Sequence, residues 1–378
     1  MTKDSDSAEI PEGHMDVTPP EGKNPVAEMS KRGYHYLKTD NLDEAEKLFQ
    51  QILEQDEANN YALVGLGEVM KRRKRYAEAI EYYQSCLATH VGNKYALIGL
   101  ADCYRSMRYF KQAIEIWDRY LEQGEYDVTV LTRIADAYRK VKDLNRSRDI
   151  YLKVLEIDPE NPYALTGLGH LHFDFKEYTE AIRFWERMLL RDPANIKALT
   201  SLGNCYRKLR EFRKGLVYFE RALELEPDNF YALFGMADCY RGSDEHEESL
   251  KYWKRILDTD PENKVIMTRA GDSYRLMGDL ENAEHYYREA LNREFDSYAV
   301  LGLALINKTR GNFQEAIDSL AGLMQHEPLN ARLYSEVAEC HVALGDRKAA
   351  IETLTRYVRL GGKSSHLQED LDRMKSGS

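Results

Sequence analysis

Apolar and small residues recur along this chain every 34 positions, and a period between about 20 and 50 residues marks an array of stacked supersecondary units. Position 1 of each unit falls at Val26, Asn60, Lys94, Val128, Pro162, Ile196, Phe230, Lys264, Ser297 and Ala331, so ten units follow at intervals of 34, with one interval of 33. Position 8 never carries more than a methyl group: Gly33, Gly67, Ala101, Ala135, Gly169, Gly203, Ala237, Gly271, Ala304 and Ala338. Position 20 is equally small, from Ala45 and Ala79 through Ser147 and Gly215 to Ala350. Position 24 is bulky throughout, as Phe49, Tyr83, Trp117, Tyr151, Trp185, Phe219, Trp253, Tyr287, Leu320 and Leu354. Small residues facing a large one predict a helical hairpin whose halves nest and whose neighbours stack. Pro159, Pro193, Pro227, Pro261 and Pro328 at position 32 separate one hairpin from the next.

This pattern resembles the tetratricopeptide repeat, which carries Leu-Gly at 7 and 8, Tyr at 11, Ala at 20, Phe at 24, Ala at 27 and Pro at 32. Tyr36, Tyr104, Tyr138, Tyr206, Tyr240 and Tyr274 supply position 11, whereas Asn307 stands there in repeat 9. The resemblance covers about nine tenths of the chain and implies an all-α, right-handed superhelical solenoid of helix-turn-helix hairpins over residues 26–364. Residues 1–25, with four Pro and six acidic residues, read as a disordered acidic tail. Beyond Gly361-Gly362, residues 365–378 read as a capping helix and tail: Ser365-His366-Leu367-Gln368 has the form of a capping box, and Leu367, Leu371 and Met374 make one apolar stripe.

A net charge of -11 disfavours wrapping by nucleic acid. No stretch has the apolar length of a signal peptide or membrane span, which predicts a cytoplasmic protein without membrane insertion. Five Cys without a CxxC pair argue against a disulfide framework or zinc site, and Cys103, Cys205, Cys239 and Cys340 at position 10, with Cys86 at position 27, read as packing residues. His170 and His172 lie two apart on a predicted helix, so their side chains diverge and share no metal. Gly65-Leu66-Gly67 and Gly167-Leu168-Gly169 fall within predicted helices and read as packing glycines rather than phosphate loops. No catalytic motif stands out, so no catalytic residue, metal or cofactor is expected.

The resemblance implies that positions 2, 5, 9, 12 and 13 face a concave groove. Position 9 is Asp102, Asp136, Asn204, Asp238 and Asp272, and position 12 of the same repeats is Arg105, Arg139, Arg207, Arg241 and Arg275. Residues three apart share a helix face, so each repeat sets an acceptor beside a guanidinium. This ladder either binds an extended peptide or pairs within and between repeats to stiffen the array. Position 2 adds Tyr61, Tyr95, Tyr163, Tyr231 and Tyr298, each four residues before a glycine at position 6, where there is room for a neighbouring ring or a ligand. Repeat 5 breaks the ladder with His170 and Phe173, and Phe234 enters repeat 7 at position 5, a pattern read either as an apolar anchor pocket or as drift. Position 5 is never Lys, unlike the version of the fold that clamps a chaperone's terminal carboxylate. The run Lys71-Arg72-Arg73-Lys74-Arg75 reads as a solvated turn in repeat 2.

The expected function is a non-enzymatic scaffold binding an extended or helical segment of a partner protein in the groove. The alternative is a structural protein that self-associates, as a homodimer or larger oligomer, through its ends or faces. An RNA-reading array is the weakest reading.

Overall fold

The computed structural model describes residues 25–124 and 127–376. Of the tail expected over residues 1–25, all but Pro25 lies outside these described residues, and Pro25 opens the first helix. Among the described residues the secondary structure is helical, and consecutive helices pair into ten hairpins. Repeats 1 to 5 are α1 (Pro25–Lys38) with α2 (Leu42–Leu53), α3 (Asn60–Arg72) with α4 (Tyr76–Thr89), α5 (Lys94–Ser106) with α6 (Phe110–Leu121), α7 (Val128–Lys140) with α8 (Leu144–Ile157), and α9 (Pro162–Asp174) with α10 (Tyr178–Arg191). Repeats 6 to 10 are α11 (Ile196–Lys208) with α12 (Phe212–Leu225), α13 (Phe230–Gly242) with α14 (His246–Thr259), α15 (Lys264–Leu276) with α16 (Leu280–Arg293), α17 (Ser297–Thr309) with α18 (Phe313–His326), and α19 (Ala331–Ala343) with α20 (Arg347–Arg359). A last helix, α21 (Ser365–Ser376), follows. None of these helices is long and apolar enough to cross a membrane.

The chain divides into two compact bodies at Ala198/Leu199. In the first body the first helices of successive repeats also touch one another, α1 with α3, α3 with α5 and α7 with α9; in the second, α15 touches α17. The first helices therefore form one wall of each stack.

Local chemistry fixes both ends of these first helices. An Asn or Asp precedes helices α3 to α19 in every repeat, and its side-chain oxygen accepts a backbone N–H of the first turn, as Asn59 does from Ala62, Asp127 from Val130 and Asn229 from Ala232. At the other end the residue at position 15 turns into the left-handed region in all ten repeats, as Asp40, Lys74, Arg108, Lys142, Lys176, Arg210, Asp244, Gly278, Gly311 and Gly345. There the Lys142 N–H donates to the Arg139 carbonyl (3.0 Å) and the Asp143 N–H to the Tyr138 carbonyl (2.9 Å). The same two bonds close every first helix and satisfy carbonyls that would otherwise be orphaned.

The bulky residue at position 24 joins one hairpin to the next. Phe49 lies against Gly33 of its own repeat and Gly65 of the following one, where an added Cβ would stand 2.7 and 2.5 Å from the ring. Tyr83 is seated in the same way by Gly67 and Gly99, Phe219 by Gly203 and Gly235, and Tyr287 by Gly271 and Gly302. The room over the position 6 glycines is thus filled by the preceding repeat's ring. Where position 24 is Trp117 or Trp253, the next repeat carries Arg133 or Arg269 at position 6 instead of glycine. Most of these rings lie in the buried apolar clusters of each body, and the five cysteines are buried too.

At the C-terminal end Leu367 and Leu371 are buried and Met374 packs beside them on the cluster that holds Leu354 and Tyr357. The expected capping box does not form. Ser364 is the cap, its Oγ accepting the Leu367 N–H at 3.5 Å, while the Gln368 amide donates to Asp372 (3.1 Å). The basic run also departs from expectation: Lys71 and Arg72 belong to α3, and Lys71 is buried against Glu68 (2.7 Å). A cation this close to a carboxylate satisfies both charges out of water, whereas a solvated turn would leave it free.

Two stability measurements follow. Replacing Gly278 with Ala puts a side chain on a left-handed backbone and is expected to cost roughly 1–2 kcal/mol in urea unfolding. The Gly65→Val variant overpacks the Phe49 ring and is expected to cost about 1–3 kcal/mol.

Candidate functional site

The position 9 and 12 residues do come together, but each repeat pairs them differently. In the first body Asp102 is 1% exposed and holds Arg133 Nη1 at 2.5 Å, with Arg105 Nε farther off at 3.8 Å. Asp136 pairs with Arg139 at 3.1 Å, and Arg139 also approaches Asp174 at 4.0 Å. In the second body the Arg207 Nε donates to Asn204 (3.2 Å), and its Nη1 lies 2.5 Å from Asp238 of the next repeat. Asp238 takes Arg241 as well, at 2.6 Å. Burial alone would raise the Asp238 carboxyl, and the Arg241 and Arg207 guanidiniums overcome it, holding it below the usual carboxylate range. Asp272 and Arg275 meet through Tyr287, whose hydroxyl donates to Asp272 (2.7 Å) and accepts from Arg275 Nε (3.4 Å).

The sequence pattern missed two members of this series. Repeat 2 carries Glu68 at position 9 and Lys71 at position 12, and Arg72 adds a second contact to Glu68 at 3.1 Å. Burial works against the Glu68 carboxylate, but the Lys71 and Arg72 charges hold its pKa below the usual value. Lys308 at position 12 of repeat 9 reaches Glu336 and Glu339 of repeat 10, both at 2.6 Å. A search for any acid three residues before any base, instead of Asp or Asn before Arg, would have found the first.

Repeat 5 replaces this chemistry. His170 sits edge-on to Trp185 with ring centroids 4.8 Å apart, and its Nε2 has no hydrogen-bond partner. Burial lowers its pKa to about 3, assisted by the positive charges of Lys197, Arg139 and Lys140. His172 turns away to Glu177 (2.6 Å) and stacks on Phe184, and Phe173 packs edge-on to Tyr178. Among the described residues no group of His, Cys, Asp and Glu is arranged to hold a metal ion. Burial also pushes the Cys205 and Cys239 thiols up to about 12, far from the thiolate form that reactive cysteines use.

The position 2 tyrosines divide by environment. Tyr61, Tyr95 and Tyr163 are half-buried, and the Tyr61 carbonyl accepts the Tyr34 hydroxyl at 2.8 Å. Tyr231 and Tyr298 are 49% and 68% exposed. Phe230 is exposed beside Tyr231, and Phe234 lies between Phe230 and the buried Trp253, 5.1 Å from the latter.

The neutral state of His170 has a consequence for stability. Its folded pKa lies below its unfolded value, so its contribution is complete above about pH 6.5 and falls as pH drops toward 3. The His170→Phe variant is expected to gain on wild type as pH is lowered from 7 to 4 in urea titrations, with a constant difference across that window as the opposing result.

Models described as tetratricopeptide repeat match residues 30–90, 71–127, 128–161, 196–229, 231–263, 266–297 and 309–369. No curated protein matches the sequence. Among solved structures, the C-terminal part of a TPR repeat-containing protein from Cytophaga hutchinsonii is similar at 18% identity and TM-score 0.54, over 64% of this chain and 99% of that one. A MamA protein is similar at 23% identity and TM-score 0.42, over 44% and 91%. YrrB, described as a TPR protein with an unusual peptide-binding site, is similar at 24% identity and TM-score 0.42, over 50% and 95%. With ten hairpins in a 34-residue register among the described residues, and repeat models matching seven stretches between residues 30 and 369, the chain belongs to the tetratricopeptide repeat family.

Proposed function

We propose that this protein is a non-enzymatic interaction scaffold whose wall of first helices receives an extended or helical segment of a partner protein. The family models indicate no enzymatic family. The observation that carries the reading is the sharing of one carboxylate by two guanidiniums. Asp238 lies between Arg207 and Arg241. One carboxylate neutralises one of the two cations, which leaves donors suited to a peptide carbonyl or a carboxylate. Arg241 remains 37% exposed in its side chain near the end of α13, whose first two residues, Phe230 and Tyr231, are exposed as well. Exposed aromatic groups and a guanidinium on one helix have the composition of interface anchors. The internal pairing of the ladder is compatible with this role, since a paired guanidinium keeps further N–H donors.

Partner recovery on the immobilised full chain provides the test. The double variant Tyr231→Ser with Arg241→Ala is expected to lower recovery about tenfold while the thermal melt is unchanged. Retention of every partner after charge reversal of Arg139, Arg207 and Arg241 would count against the wall. Light scattering over a range of concentrations separates the self-association reading: a dimer that the charge-reversal variant abolishes would assign the wall to a second copy of the chain.

A further inference from the structure

A second surface lies at the turns between the two helices of each hairpin. In four successive repeats of the first body, position 15 is Lys74, Arg108, Lys142 and Lys176. All four are exposed, and no described residue forms an ion pair or side-chain hydrogen bond with them. This is notable in a chain of net charge -11, where the neighbouring Arg72, Arg73 and Arg75 are all paired with carboxylates. The acids beside Lys142 and Lys176 in sequence are engaged elsewhere: Asp143 is turned to Arg146 (3.5 Å), Glu177 to His172 (2.6 Å), and Asp174 lies 4.0 Å from Arg139.

The backbone makes the choice of residue informative. Position 15 has positive φ, which glycine adopts without strain, and Gly278, Gly311 and Gly345 occupy it in repeats 8 to 10. The same pair of hydrogen bonds closes the helix in those repeats, so the turn itself does not need a long side chain. A helix C-terminus favours a cation in every repeat alike and does not account for the difference. At Lys142 lies a shallow recess of about 410 Å³, lined by Val141, Leu144 and Phe175 and by the polar Lys142, Asp143 and Asn145. Phe175 is 39% exposed at the turn of repeat 5, and Tyr109 is 49% exposed at the turn of repeat 3.

We propose that this edge docks an acidic peptide segment of a partner protein. Its carboxylates pair with the cations at position 15, and one apolar side chain enters the recess next to Lys142. Charge complementarity selects the acidic segment, and the Val141, Leu144 and Phe175 side of the recess selects an apolar side chain that a simple polyanion lacks.

The probe is a fluorescein-labelled peptide of Glu, Ser and Gly with one central Phe, titrated with the full chain and followed by anisotropy. The variant carrying Lys74→Gly, Arg108→Gly, Lys142→Gly and Lys176→Gly copies the turn of repeats 8 to 10 and is expected to melt no lower than wild type. Its affinity for the probe is expected to fall about tenfold or more, and wild-type affinity is expected to weaken as salt is raised. Replacing the probe's Phe with Ser is expected to weaken binding as well. The Arg241→Ala variant is expected to bind the probe like wild type, which keeps this edge distinct from the wall of first helices. Absence of binding, or equal affinity in the glycine variant, overturns the proposal. Tighter binding to single-stranded RNA of equal length, or to phosphatidylserine vesicles, overturns it in favour of another polyanion. Concentration-dependent dimerisation through the same four residues overturns it in favour of a second copy.

Discussion

The wedge formed by each position 24 side chain holds successive hairpins together. A ring such as Tyr83 or Phe219 sits against glycine on the first helix of its own repeat and against glycine on the first helix of the next. The hydrophobic gain from burying an aromatic ring is therefore divided between two repeats, and neither repeat buries its own ring alone. The absence of a Cβ at positions such as Gly65 and Gly235 lets the first helices come close enough to build a common wall. Helix caps and turns set the length of each hairpin, but this shared ring turns a string of hairpins into a stack.

Once the first helices are side by side, their polar residues face two sets of partners. A guanidinium at position 12 reaches the acceptor three residues earlier on its own helix or an acid one repeat later; Arg139 contacts Asp136 and Asp174, and Arg207 contacts the Asn204 amide and Asp238. Such pairs cost desolvation as they gain Coulomb energy, so partly buried examples like Asp238 contribute little net stability for the charge they concentrate. We propose that their larger effect is on recognition, since they hold guanidinium donors along the first helices of each body. The turn edge of the first body offers charge of another kind: solvated, unpaired, and carried on backbone positions where the last three repeats use glycine.

The register of the fold was legible because it rests on local and repeated constraints. Small residues at 8 and 20 and a large one at 24 recur often enough to define the period, and the hairpins follow from it. The ladder residues were also legible as a set, since a spacing of three places Asp136 and Arg139 on one helix face. Their partners were not. Nothing in the spacing of Asp102 and Arg105 indicates that Arg133, at a position held by glycine in neighbouring repeats, takes the closer place. The basic run in repeat 2 misled for a related reason, because Lys71 looks like part of a charged turn until the helix end is placed after Arg72.

By itself the sequence determined the hairpin, its length, its packing positions and the family, because each depends on contacts within one period and is stated ten times over. Only the tertiary structure decided which long cationic side chains are consumed internally and which remain available. Contacts such as Arg207 to Asp238 and Lys308 to Glu339 span 31 residues, and a flexible side chain with several acids in reach is assigned by three-dimensional distance rather than by spacing along the chain.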